Sequence, residues 1–305
     1  MSARITMGGY QPPASVHNRA AAILGGELAR QLGGGVEFVL QGNMPESHGI
    51  KAIDLLDLVE GGELTMCYFA GSYLAGRVPE VGIFDLPFVI ESREKAYGLL
   101  DGGLGGTIRK KFLDNTGFRV LAFWDNGFRH FSNGVRQLNS PADCAGLKVR
   151  TMNSELHQET FRLLGMEPAF VDVADLVEAA RSGRIDVQEN PLTNTYRFGT
   201  YRHHRYITLT GHFFGISLVL INAAQYEALD TDVRQALDAA VPKATEAQRE
   251  FAQAEDEEVL ANLSPDQNDV HQLTQDERKR FADAVAPLVE KHRRVLGDAV
   301  FRYID

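Results

Sequence analysis

Apolar residues along this chain alternate between two spacings. Short segments of strand character, Arg4–Gly8, Val36–Leu40 and Leu64–Tyr68, are separated by stretches with helical periodicity. Ser15–Leu32 is expected as a helix that Ser15 caps and Gly33-Gly34-Gly35 ends. Ser47–Glu60 is expected as a second, with Ile50, Ile53, Leu55, Leu56 and Val59 on its apolar face and Gly61-Gly62 as its stop. These segments predict two strand–helix–strand units near the start of the chain.

The alternation continues through helices at Arg93–Leu100 and Leu104–Asn115 and strands at Phe118–Trp124 and Arg129–Asn133. After a turn at Ser140-Pro141-Ala142-Asp143 come strand Leu147–Thr151, helix Ser154–Leu164, strand Glu167–Val171, helix Val173–Ser182 and strand Ile185–Glu189. Strands return at Tyr206–Leu209 and Ser217–Ile221. Beyond Asn222 the pattern is almost wholly helical, with long stretches from Asp232 to about Leu263 and from Thr274 to Val295. The pattern predicts an α/β protein of two lobes with a long helix laid across both. Asp125–Gly127 and Thr210–Gly215, glycine-containing and flanked by strands, are the expected crossings between lobes.

Composition narrows the function classes. The chain has 305 residues, enough for two domains, and its apolar and charged content is that of a globular protein. A net charge of −10 with no basic stripe excludes nucleic acid as a partner. It also means that any acidic ligand must be held by cations gathered locally, inside the Debye length of ~8 Å. Two cysteines, Cys67 and Cys144, say little about compartment, and Cys67 reads as a buried small hydrophobe. The chain opens with Met1-Ser2-Ala3-Arg4 and enters a strand directly. Two expectations follow: a cytoplasmic protein, or one whose leader was removed and replaced by a start methionine.

Catalytic signatures are weak. Asp101-Gly102-Gly103-Leu104-Gly105-Gly106-Thr107 lacks the lysine of a phosphate loop and follows a helix, so it reads as a helix–helix connection. His203-His204 lack metal-site spacing, and His157 between Glu155 and Glu159 reads as part of a solvated face. No metal, no cofactor and no catalysis are expected. Arginines at strand ends are more informative. Arg150 closes Gly146-Leu147-Lys148-Val149-Arg150, and Arg129 follows Asn126-Gly127-Phe128. Ligands of α/β sheets sit outside the carboxyl ends of strands, where an arginine offers two parallel donors to a carboxylate. The alternative for both is a surface salt bridge. Gln188-Glu189-Asn190-Pro191 also ends a strand, and Asn190 is placed either to cap a helix that Pro191 begins or to face a ligand.

The strand ending in Arg150, the helix end Leu164-Gly165 and the run Asp186-Val187-Gln188-Glu189-Asn190-Pro191-Leu192 resemble the solute receptors of TRAP transporters, the DctP family. Phe84-Asp85-Leu86-Pro87-Phe88-Val89 and Asn126-Gly127-Phe128-Arg129 with Ser132-Asn133 agree, and the resemblance runs from about residue 4 to 290 in order. It implies a two-lobed type II periplasmic binding protein fold with a long helix spanning both lobes. The lobes are expected as 1–124 plus about 213–252, and 125–212 plus about 253–305, with a ligand cleft between them. It implies an organic-acid ligand, TRAP membrane permease subunits as partners and a monomer in the periplasm. The carboxylate-clamping arginine falls on Arg150, the second arginine on Arg129 and the pocket asparagine on Asn190. Further pocket positions fall on Tyr10, Tyr73, Asn153, Val173 and Phe213.

Two departures touch the substrate subclass: Val177 where many members carry an aromatic residue, and the loop Gly42–Gly49 in place of a glutamine-leucine-glycine turn. The aromatics Tyr10, Tyr68, Phe69, Tyr73, Trp124, Phe213 and Phe214 lean the expectation toward a larger or aromatic acid. Two rivals stay open: a ligand-sensing subunit of a signalling system, and an enzyme acting on an organic acid on a similar fold.

Overall fold

A computed structural model of the chain describes residues 3–304; Met1, Ser2 and Asp305, the outermost residues of the expected lobes, lie outside them. Nine strands are found among the described residues. They are β1 (Ala3–Gly8), β2 (Val36–Gln41), β3 (Met66–Ala70), β4 (Phe118–Asn133), β5 (Lys148–Thr151), β6 (Glu167–Phe170), β7 (Val187–Pro191), β8 (Tyr206–Asn222) and β9 (Asp269–Gln272). The chain forms two compact units. Unit 1 comprises Met1–Gly71, Gly106–Asp125 and Ile216–Glu255; unit 2 comprises Ser72–Gly105, Asn126–Gly215 and Asp256–Asp305. Residues 72–105, expected with the first lobe, fall in unit 2.

In unit 1 the strand order is β2-β1-β3-β8, with β1 parallel to β2 and β3, and β3 antiparallel to β8. The helix Val16–Leu32 starts where Ser15 Oγ accepts from the Asn18 N–H at 3.2 Å, a cap that satisfies one of the orphan amides of the first turn. It buries Ala20, Ala21, Leu24 and Leu28, one face at helical spacing, against Ile5 and Met7 of β1 and Leu237 and Ala240 of the long helix. Full burial of each leucine is worth about 1.5–3 kcal/mol.

In unit 2 the order is β4-β7-β5-β6, and β9 lies parallel to β8. Its core gathers Phe131, Leu147, Val149, Phe161, Val187, Phe213, Phe281 and Val285. The helix Glu155–Leu163 begins at Ser154, which accepts from the His157 N–H at 3.4 Å.

Three expectations are corrected. The two strands expected at 118–124 and 129–133 are one strand, β4, and 206–209 and 217–221 are joined in β8. The chain passes between units inside each, at residues 125/126 and 215/216. Gly127 remains within β4 at φ 86°, and a Cβ there would lie 3.1 Å from Cβ of Pro191. The helix expected at 47–60 is two, Met44–His48 and Asp54–Gly61, because Gly49 adopts the left-handed conformation and closes the first with an N–H bond to Pro45 O. The segment after Asn222 is almost wholly helical, as expected, interrupted by β9, whose one apolar residue, Val270, gives no strand periodicity of its own. The long helix, Thr231–Asn262, has residues in both units.

Of the glycine-rich segment 101–107, Gly102 alone connects the helices Arg93–Asp101 and Gly103–Asn115, and the rest lies within them. A Cβ on Gly105 would stand 1.7 Å from Leu100 O, so the tight junction demands glycine. No helix among the described residues is long and apolar enough to cross a membrane.

Candidate functional site

The register of unit 2 explains why two arginines meet one strand end. In the antiparallel β4–β7 pair Arg129 faces Pro191 and Phe131 faces Glu189, while in the parallel β5–β7 pair Arg150 is aligned with Gln188. Arg129, Arg150 and the run Gln188-Glu189-Asn190 therefore share the carboxyl-end region of β5 and β7. That placement brings chemistry to the edge where α/β sheets hold ligands.

Arg129 is committed within the protein. Its Nε and Nη2 fork onto the two carboxylate oxygens of Glu189, and Nη2 also donates to Glu189 O at 2.9 Å and to Asn190 Oδ1 at 3.3 Å. Both side chains are buried. Around Glu189 stand His157 Nδ1 at 3.6 Å and His212 Nε2 at 3.7 Å. His157 Nε2 reaches Asp85 Oδ1 at 3.0 Å, and Asp85 accepts from Ser72 Oγ at 2.7 Å. Burial alone would raise the Glu189 pKa; the Arg129 guanidinium and the two histidines outweigh it and hold the carboxyl well below its usual range. Burial likewise opposes the charged forms of Arg129 and His157, and Glu189 and Asp85 overcome it, raising both. His212 goes the other way: burial dominates and brings it down to about 4.

Arg150 is different. It is 2 % exposed, and its Nε donates to Val171 O at 2.8 Å. Among the described residues its two terminal nitrogens have no hydrogen-bond partner, and no carboxylate forms an ion pair with it. Neither nitrogen is sealed from solvent. Burial lowers its pKa, with Tyr73 and Glu189 opposing that shift and Arg129 adding to it. Arg150 is thus a largely desolvated cation with its fork unspent.

The other expected positions are varied. Asn190 lies within β7 and does not cap the following helix, whose N-cap is Pro191; its Nδ2 donates to Gln188 Oε1 while its Oδ1 faces Arg129. Tyr73 is half-buried in a short 3-10 turn, close enough to Arg150 for each to shift the other's titration. Val173 is half-buried in the turn after Val171, and Asn153 is exposed between β5 and the helix Glu155–Leu163. Phe213 lies in the core of unit 2, stacked on His157 with ring centroids 4.2 Å apart. Tyr10 belongs to unit 1, where its ring packs 5.5 Å from Tyr68 and 5.2 Å from Phe69. Tyr68, Phe69, Trp124, Phe213 and Phe214 are all buried.

Sequence reasoning overlooked the Glu189 pair and read His157 as solvated. His157 is fully buried. Its signal was the spacing His157, Thr160, Phe161, the buried stripe of its helix, which the flanking glutamates masked. His212 had no local signal, because its role depends on β8 lying near Glu189.

The family of bacterial extracellular solute-binding proteins, family 7 (DctP), matches residues 7–294. The 2,3-diketo-L-gulonate-binding periplasmic protein YiaO of Escherichia coli is 29% identical over 79% of this chain and 73% of its own length. A TRAP periplasmic solute-binding protein of Sulfurospirillum deleyianum with bound succinate superimposes with a TM-score of 0.92 at 24% identity, covering 100% of this chain and 99% of the other. One from Bordetella bronchispeptica, with density assigned to pantoate, gives 0.91 at 26% identity over 99% of this chain and 98% of its own.

Proposed function

The chain belongs to the DctP family, the bacterial extracellular solute-binding proteins of family 7, and from that premise we propose that it is the substrate-binding protein of a TRAP transporter and captures the anion of a small organic acid. Relatives named for a sugar-derived acid and neighbours with bound succinate or pantoate support that ligand class. Family and neighbours are solute receptors, which supports a site of binding over one of turnover.

The observation behind the reading is Arg150. A buried guanidinium whose terminal nitrogens have no protein acceptor is unfavourable until an anion arrives, and a carboxylate fits the fork with two parallel N–H···O bonds. Arg129 is fixed by Glu189, and its Nη1, which has no hydrogen-bond partner among the described residues, adds a donor. Asn190 orients that guanidinium, Tyr73 lies within electrostatic reach of Arg150, and Val173 and Asn153 serve as outer contacts. Phe213 contributes by holding His157 in place. The loaded receptor acts in the periplasm and hands its ligand to membrane permease subunits. A thermal-shift screen of ligand-stripped protein against organic acids and their matched amides tests the reading. Ligand at ~100 times its dissociation constant stabilises by about 2.7 kcal/mol. A shift with an acid and none with its amide is expected; equal shifts with both would remove carboxylate capture from the account.

A further inference from the structure

Resting on that receptor reading, we infer that the ligand carries a single carboxylate on an otherwise uncharged body. The buried side chains of unit 2 include two cations of the lysine or arginine type, Arg129 and Arg150, and two carboxylates, Asp85 and Glu189; unit 1 buries neither lysine nor arginine among the described residues. Arg129 is matched by Glu189, which takes two of its donors, so that pair is neutral. His157, whose charged form is favoured by the carboxylates of Asp85 at 3.0 Å and Glu189 at 3.6 Å, is matched by Asp85. His212 and His130 are neutral near pH 7, since burial brings them down to about 4 and about 3. The phenol of Tyr73 is neutral as well, its pKa raised by burial. Asp172 lies within electrostatic reach of Arg150, but it is half-buried and its carboxylate accepts from the Ala174 N–H at 3.0 Å, leaving it screened by solvent.

Within unit 2 one buried positive charge remains uncompensated, that of Arg150. A first carboxylate neutralises it. A second carboxylate on the same ligand would leave water with no buried cation to meet it, which is costly for an anion. Hydroxyl or keto oxygens carry no such penalty. Arg129 Nη1 suits them, being a free donor on a group whose charge is already balanced.

The test is calorimetric titration of the full, ligand-stripped chain at about pH 7, where both carboxylates of a diacid are ionised. Probes are paired by carbon count: butyrate with succinate, erythronate with tartrate, galactonate with galactarate. In the pair that binds best, the monoacid is expected to bind tighter by roughly tenfold or more, about 1.4 kcal/mol. A diacid that equals or beats its monoacid in that pair overturns the inference and leaves the receptor reading standing. Absence of binding by every acid, with protein shown to be folded and empty, overturns the receptor reading and this inference with it.

Discussion

Replacing Arg150 or Arg129 by methionine separates two buried arginines that look alike in sequence. Methionine keeps the apolar stem and removes the charge. At Arg129 the substitution strands the Glu189 carboxylate, fully buried and stripped of two hydrogen bonds and its counter-charge. Breaking such a pair costs about 3–5 kcal/mol. At Arg150 no protein carboxylate is stranded. The loss is one charged hydrogen bond to Val171 O, about 1.5–3 kcal/mol, set against relief of an unpaired buried charge worth several kcal/mol. The ligand-free Arg150→Met protein is therefore expected to unfold within about 1 kcal/mol of the parent, or later, whereas Arg129→Met loses about 3–5 kcal/mol. Urea denaturation of the stripped proteins, followed by circular dichroism, reads both. If Arg150→Met falls as far as Arg129→Met, then Arg150 serves folding through an internal partner, and the claim that its fork awaits a ligand fails.

Two other outcomes concern pH and the backbone. Burial lowers His17 and His130 to about 3 and His212 to about 4, against 6.5 in the unfolded chain. Unfolded protein therefore takes up protons first as pH falls, and stability from these groups is full above pH 6.5 and lost below it, by about 2 kcal/mol per group at pH 5. A His17→Gln variant should show a smaller drop in urea midpoint between pH 7 and 5; an unchanged drop would mean that His17 is not buried neutral. Glu189 adds an opposite-type acid term, present above about pH 4.5 and lost as pH falls through its depressed value. Gly105→Ala forces a Cβ to within 1.7 Å of Leu100 O, so thermal unfolding should show a loss of more than about 1 kcal/mol. A neutral result would mean that the junction between those helices has room that its geometry denies.

Much of the fold was legible because local chemistry and tertiary structure agree. Ser15 caps where a serine should, Gly62 stops its helix in the left-handed conformation, and β1, β2 and β3 carry short runs of strand character bounded by glycine or polar residues. Failures came where a partner decides. β9 is a strand because β8 lies beside it, and β4 and β8 stay continuous across glycines that read locally as breaks. At the site, Arg150 stands at the strand end the sequence suggested, whereas Arg129, expected to open a strand, lies inside β4, and the different states of the two were not legible. Sequence placed both as carboxylate ligands; the fork from Arg129 to Glu189 arises from the pairing of β4 with β7, 60 residues apart in the chain. His157 was misjudged because its neighbours Glu155 and Glu159 are polar, although helical geometry sends them to other faces.

Calorimetric titration of the parent, Arg150→Ala and Arg150→Lys with the tightest acid from the thermal screen tests the central claim most directly. Arg150→Ala is expected to lose roughly 2–5 kcal/mol of binding, and Arg150→Lys to bind poorly because one ammonium cannot copy the fork. Affinity equal to the parent in either variant, with the protein folded, would contradict the assignment of Arg150 as the residue that captures the carboxylate.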